Sequence, residues 1–342
     1  MYDFESDPRI DPRLKLILPL LTAEPMALPT TREGLVEAMN TASAIAERDA
    51  MFEAVEMNDT EAVVPQAGLR VESFQVVSQP DGNTINIQYI RPDNDDVLAC
   101  VYYIHGGAMA TLSCYMGNYR AWAKIIAHQG VAVAMVDFRN SLQPSSVPDV
   151  APYPAGLNDC MSGLRWLHHE AANLHIDASR VVIAGESGGG NLTLALGMKL
   201  LREGHVDLVT GLYALAPYIA GYWPQPELPS SIENNGIWLD LHNDYGKLSY
   251  GEEALEQRDP LAWPLFAQPA DLKGLPRVVI NVNECDPLRD EGIAFYRKLL
   301  ASDVPARCRQ QMGTIHATEV IPMLCPEISR DTARDIAAFA KG

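Results

Sequence analysis

The chain has 342 residues, 47% of them hydrophobic, and sets 26 lysines and arginines against 44 aspartates and glutamates, a formal net charge of −18. That length buries a large core, enough for one catalytic α/β domain carrying an insertion. The charge repels nucleic-acid phosphates and anionic lipid surfaces, so neither is expected as a partner.

The start, Met1-Tyr2-Asp3-Phe4-Glu5, is acidic, and the apolar run at 14–21 is broken by Pro19, unlike a signal peptide. No stretch approaches the roughly 20 apolar residues of a membrane span, and the expected location is cytoplasmic. Residues 1–66 read as helix and loop, with a helical run at 34–56 punctuated on either side by Pro29 and Pro65, and are expected to form an N-terminal cap segment. The catalytic core is expected to begin at 67. Segments 71–77 and 84–90 alternate like half-buried strands about Pro80-Asp81-Gly82-Asn83, the pattern of a hairpin at a sheet edge.

Near-continuous apolar runs follow at 98–104, 131–136, 180–184, 208–215 and 278–282. Helix-like segments at 119–128, 155–172, 191–202, 289–301 and 328–340 separate or follow them, which predicts an α/β fold with a mostly parallel central sheet flanked by helices. Residues 218–262 interrupt this rhythm with prolines and tryptophans. They read as a cap insertion between a first core part, 67–217, and a second, 263–342, because unstructured loops of such length are uncommon except as lids. The six cysteines are scattered without C-x-x-C spacing, as reduced thiols are, and His168, His169 and His175 form no zinc motif; neither metal nor cofactor is expected.

The run 181–184 leads straight into Gly185-Glu186-Ser187-Gly188-Gly189-Gly190-Asn191, a buried strand meeting Gly-x-Ser-x-Gly and then a helix. Such a nucleophile elbow pushes a serine hydroxyl into the cleft and needs small neighbours. A phosphate-binding loop is the competing reading, but no Lys-Ser or Lys-Thr follows the glycines and the dinucleotide spacing is absent. Ser187 is therefore the expected nucleophile. A serine hydroxyl needs an imidazole to take its proton, and the imidazole needs an acid to fix its tautomer, in the chain order serine, acid, histidine. The strand expected at 277–283 ends in a segment with four carboxylates, Glu284, Asp286, Asp290 and Glu291, of which Asp286 is the expected acid, and only His316 lies beyond that segment, as the expected base. As a position before Pro287, Asp286 also suits a helix cap, whereas Asp290 and Glu291 fall in a first helical turn that favours acids without catalysis. His105-Gly106-Gly107-Ala108 follows the run 98–104 as an oxyanion loop does, giving Gly106 and Gly107, with Gly188 after the nucleophile, as expected amide donors. His105 is read as holding that loop, and Arg139 with Asp159 as a structural pair.

Together with Tyr153-Pro154-Ala155-Gly156-Leu157-Asn158-Asp159, Asp259-Pro260-Leu261-Ala262-Trp263-Pro264 and Asp286-Pro287-Leu288-Arg289-Asp290-Glu291-Gly292, these motifs resemble the hormone-sensitive-lipase-like, bacterial family IV branch of the α/β-hydrolase esterases from about residue 70 onward. The resemblance implies an α/β-hydrolase fold with a helical cap, a Ser187/Asp286/His316 triad, and a serine carboxylesterase acting on short- to medium-chain esters through an acyl-enzyme. The sequence departs from the family's commoner pattern at Ala108, Glu186 and Gly188. Alanine lacks glycine's left-handed freedom, and Gly188 is expected to loosen the turn. Ala108, Tyr115, Glu186, Tyr218, Trp223 and Trp238 are candidates for the substrate pocket. An amidase or peptidase built on the same triad is the alternative, followed by a non-catalytic small-molecule receptor, which the presence of both Ser187 and His316 disfavours. The expected partner is a small-molecule ester, and a homodimer is compatible with the sequence.

Overall fold

The computed structural model describes residues 2–21 and 28–342. Eight strands form one sheet: β1 (Leu69–Val77), β2 (Thr84–Pro92), β3 (Leu98–Ile104), β4 (Ala132–Asp137), β5 (Ile176–Glu186), β6 (Gly211–Leu215), β7 (Arg277–Asn283) and β8 (Ala306–Gln311). Their order is β1-β2-β4-β3-β5-β6-β7-β8. The β1–β2 hairpin closes one edge, with Val77 opposite Thr84, and β2 runs antiparallel to β4. Every pairing from β4 to β8 is parallel.

The principal helices are α1 (Arg32–Met39), α2 (Ala42–Val55), α3 (Gly117–Ala127), α4 (Ala155–His169), α5 (Gly188–Glu203), α6 (Arg289–Ala301) and α7 (Pro326–Lys341). The single helical run expected at 34–56 is two helices, because Asn40 ends α1 and the Thr41 hydroxyl accepts the Ala44 N–H to begin α2 anew. Likewise the run 208–215 is a strand only from Gly211, a short 3₁₀ turn (Val206–Leu208) taking its beginning. In β5 alternate side chains go to opposite faces: Val181 and Ile183 join Leu164, Leu196 and Phe295 of α4, α5 and α6, while Val182 and Ala184 join Trp122 and Ile336 of α3 and α7. The sheet is therefore buried on both faces, which is why its strands read as continuous apolar runs.

Segments 105–116, 187, 284–288 and 312–325 leave the carboxyl ends of β3, β5, β7 and β8, so the four motifs converge at one end of the sheet, where sites in open parallel sheets lie. Residues 218–262 carry three short helices (Ser230–Glu233, Tyr245–Tyr250 and Glu252–Glu256) and lie over that end together with residues of α2. Among the described residues no helix is long and apolar enough to cross a membrane.

Candidate active site

Ser187 joins β5 to α5 at φ 56° and ψ −119°, a backbone region that costs a non-glycine residue roughly 1–3 kcal/mol. Its neighbours hold it there: the Ser187 N–H donates to the Leu215 carbonyl at 2.9 Å, and its own carbonyl accepts from Asn191 N at 3.0 Å and Tyr218 N at 3.1 Å. A Cβ at Gly185 would collide with the Gly189 carbonyl and one at Gly189 with that of Ile104, so the elbow admits no side chain at either position. Gly188 does not loosen the turn as expected. A Cβ there would stand 2.5 Å from Met109 N and 2.8 Å from Ala108 N, because the loop after β3 packs directly onto the elbow.

His316 and Asp286 are both buried, and His316 Nδ1 lies 2.8 Å from Asp286 Oδ2. The other carboxylate oxygen accepts the Leu288 N–H at 2.9 Å, so Asp286 also caps the turn that leads into α6. With Nδ1–H donating to the carboxylate, the neutral ring carries its lone pair on Nε2. Burial disfavours the imidazolium, but the Asp286 carboxylate, with Glu186 and Glu319 behind it, outweighs burial and raises the His316 pKa above its ordinary value. Ser187 and His316 line the same cavity, of about 470 Å³. Serine–imidazole contacts at such sites commonly tighten only with substrate.

In the loop after β3, the structure corrects one expected donor. The Gly106 N–H points into the protein, donating to Glu186 Oε1 at 2.6 Å with the Tyr119 hydroxyl 3.1 Å away, and so has no proton left for a substrate oxygen. Among the described residues the amides of Gly107, Ala108 and Gly188 donate no such bond. Gly107 at φ 90°, Ala108 at 54° and Met109 at 58° form a left-handed turn that Ala110 N and Thr111 N close onto the Gly107 carbonyl, and Ala108 adopts this region despite its Cβ. His105 holds the loop from below, its ring stacked on Phe138 at 4.4 Å and its Nδ1 3.0 Å from the Gly106 carbonyl. Arg139 and Asp159 form a buried pair at 2.8 Å that lies outside the cavity.

Of the six pocket candidates, Ala108, Glu186, Tyr218 and Trp238 line the cavity, and the Trp238 ring meets the His316 imidazole edge to face at 5.8 Å. Two do not. Tyr115 reaches the outer hairpin, its hydroxyl 3.2 Å from Ser73 Oγ, and Trp223 is a buried packing residue stacked on Tyr218 with its Nε1–H on Glu291 Oε2. Sequence reasoning missed Met51 and Val55, which bring α2 to the cavity mouth, and Leu239, Leu241 and Tyr245 from the insertion. The four-residue spacing of Met51 and Val55, one face of a helix, was the signal present. Among the described residues no group of histidine, cysteine, aspartate or glutamate side chains is arranged to hold a metal.

A family described as alpha/beta hydrolase fold matches residues 101–320. The carboxylesterase NlhH of Mycobacterium tuberculosis is 31% identical over 74% of this chain and 76% of its own length. A solved structure of the esterase Est22 is 59% identical and superposes over the whole of both chains with a TM-score of 0.97. That of brefeldin A esterase, described as a bacterial homologue of human hormone-sensitive lipase, is 33% identical over 98% of this chain and 94% of its own, with a TM-score of 0.86. With its strand-to-helix elbow at Ser187 and these relatives, the chain belongs to the α/β-hydrolase family, in its hormone-sensitive-lipase-like branch.

Proposed function

We propose that this serine carboxylesterase hydrolyses small, uncharged, short- to medium-chain esters, with Ser187 as nucleophile, His316 as base, Asp286 as its orienting acid, and the amides of Gly107, Ala108 and Gly188 as oxyanion donors. The observation that carries the reading is the strained Ser187 on the wall of one apolar cavity with His316, whose far ring nitrogen is 2.8 Å from Asp286. His316 Nε2 takes the Ser187 proton as Oγ attacks the ester carbonyl, and the negative charge gathers on the carbonyl oxygen. Collapse expels the alcohol, which leaves with the proton from His316. Water then repeats the cycle on the acyl-serine and releases the acid.

The lining supports the substrate class. Leu28, Met51, Val55, Leu112, Val320 and Ile321 make the walls apolar, and among the described residues no lysine or arginine borders the cavity to pair with an anionic acyl group. A volume of about 470 Å³ suits a small ligand rather than a long lipid chain. Est22 has been solved with p-nitrophenol, which favours an aryl leaving group in a site of this shape. The same reading places the enzyme in the cytoplasm, where six free cysteines stay reduced.

A p-nitrophenyl ester series from acetate to laurate tests this. The expected kcat/KM peaks between acetate and hexanoate and falls by roughly tenfold or more at laurate, as apolar chain that the cavity cannot hold stays in water. A maximum at laurate contradicts the substrate class.

A further inference from the structure

Glu186 stands beside the nucleophile and takes no part in the chemistry above, yet it is buried. Its carboxylate accepts three hydrogen bonds: the Tyr103 hydroxyl on Oε2 at 2.6 Å, and both the Tyr119 hydroxyl and the Gly106 N–H on Oε1 at 2.6 Å. These donors come from β3, from α3 and from the loop after β3. Among the described residues no lysine or arginine pairs with it. A buried carboxylate without a cation is costly, and burial pushes this one up to about 7. A Cβ at Gly106 would collide with Glu186 Oε1, so only glycine lets this carboxylate lie directly against the loop.

We infer that Glu186 is a positioning residue for the oxyanion loop, holding the Gly106 amide inward so that the next two amides, Gly107 and Ala108, face the reacting carbonyl. The inference rests on the proposed triad and oxyanion donors. Successive peptide groups in a tight turn are coupled through shared dihedrals, so fixing one N–H sets the direction of those that follow. Oxyanion donors act only when preorganised, and losing one costs roughly 100- to 1,000-fold in rate. When ionised, Glu186 also bears on the base, its charge adding to those of Asp286 and Glu319 in favouring protonated His316.

Three variants separate this role from simple packing. Glu186→Met fills the same space without an acceptor, and its kcat on p-nitrophenyl butyrate is expected to fall about 100-fold with KM changed by no more than about twofold. Its affinity for a trifluoromethyl ketone, which forms an oxyanion on the enzyme, falls in parallel. Glu186→Gln retains an acceptor for the Gly106 N–H and restores most of that kcat. Full kcat in Glu186→Met, or an equal loss in Glu186→Gln, overturns the inference. If Glu186→Met does not fold, the double variant Tyr103→Phe, Tyr119→Phe reads the same quantity: about tenfold lower kcat supports the role, and an unchanged kcat overturns it. Ser187→Ala measured alongside keeps the two ideas apart. An inactive Ser187→Ala beside an undiminished Glu186→Met leaves the triad standing and removes only Glu186.

Discussion

Replacing Ser187 with alanine is expected to lower kcat for p-nitrophenyl butyrate by about 10⁴- to 10⁶-fold, the loss typical when a hydrolytic serine is removed and only binding and the oxyanion donors remain. The fold should survive, because the hydrogen bonds that hold residue 187 run through its backbone to Leu215, Asn191 and Tyr218 and none through its hydroxyl. Ser187→Gly sharpens the test. At φ 56° a glycine relieves strain that serine bears, so this variant should be as inactive as the alanine one and yet about 1 kcal/mol more stable, a rise in Tm on the order of 1–2 °C by calorimetry. Glycine's extra freedom in the unfolded chain offsets part of that gain. An inactive protein that melts higher identifies a site where stability is sacrificed to geometry. Ser187→Gly melting several degrees below the parent would show that the elbow is not strained.

Asp286→Asn is expected to reduce kcat by about 10³- to 10⁴-fold, with KM little changed. An asparagine oxygen still accepts the Leu288 N–H, so the turn into α6 persists and the loss is electrostatic rather than architectural. The damage falls on His316: the amide NH₂ cannot accept from Nδ1, the ring turns to its other tautomer, and Nε2 carries a proton where a lone pair is needed. The pH dependence carries a definite sign. In the parent the neutral imidazole is the active form and its pKa is raised, so the rate climbs with pH through a midpoint above about 6.5. Removing the carboxylate removes the largest contribution that raises it, and the residual activity of Asp286→Asn should have its acid limb at lower pH. A midpoint that stays in place in the variant would mean that Asp286 does not govern the base.

Much of this was legible because each element follows a local rule. The strand runs at 98–104 and 278–282 match β3 and β7 closely, since a strand covered on both faces must be apolar throughout and cannot be mistaken for a surface element. Chain order and a place after strands singled out Ser187, Asp286 and His316, and the structure puts His316 and Asp286 within hydrogen-bond reach and Ser187 on the same cavity as His316. What the sequence hid was direction. Gly106 and Gly107 are indistinguishable as letters, yet the N–H of one faces Glu186 and that of the other is unspent, a difference set by a turn of φ values along residues 107–109. Gly188 looked like a relaxed substitute for alanine, whereas only the three-dimensional approach of Ala108 and Met109 reveals why no side chain fits. Trp223 and Tyr115 carry the same aromatic signature as Trp238, and packing alone decides which of them reaches the cavity.

In the proposed reaction an ester's acyl group passes through a covalent bond to Oγ of Ser187. Peptide mapping by mass spectrometry after treatment with a p-nitrophenyl organophosphate tests it most directly, because such a reagent phosphorylates an activated serine with release of p-nitrophenol and the adduct does not turn over readily. Stoichiometric modification on Ser187 is expected, with activity lost in proportion and no adduct in Ser187→Ala. Full modification at another residue with parallel loss of activity, or an unmodified Ser187 in an inactivated enzyme, contradicts it.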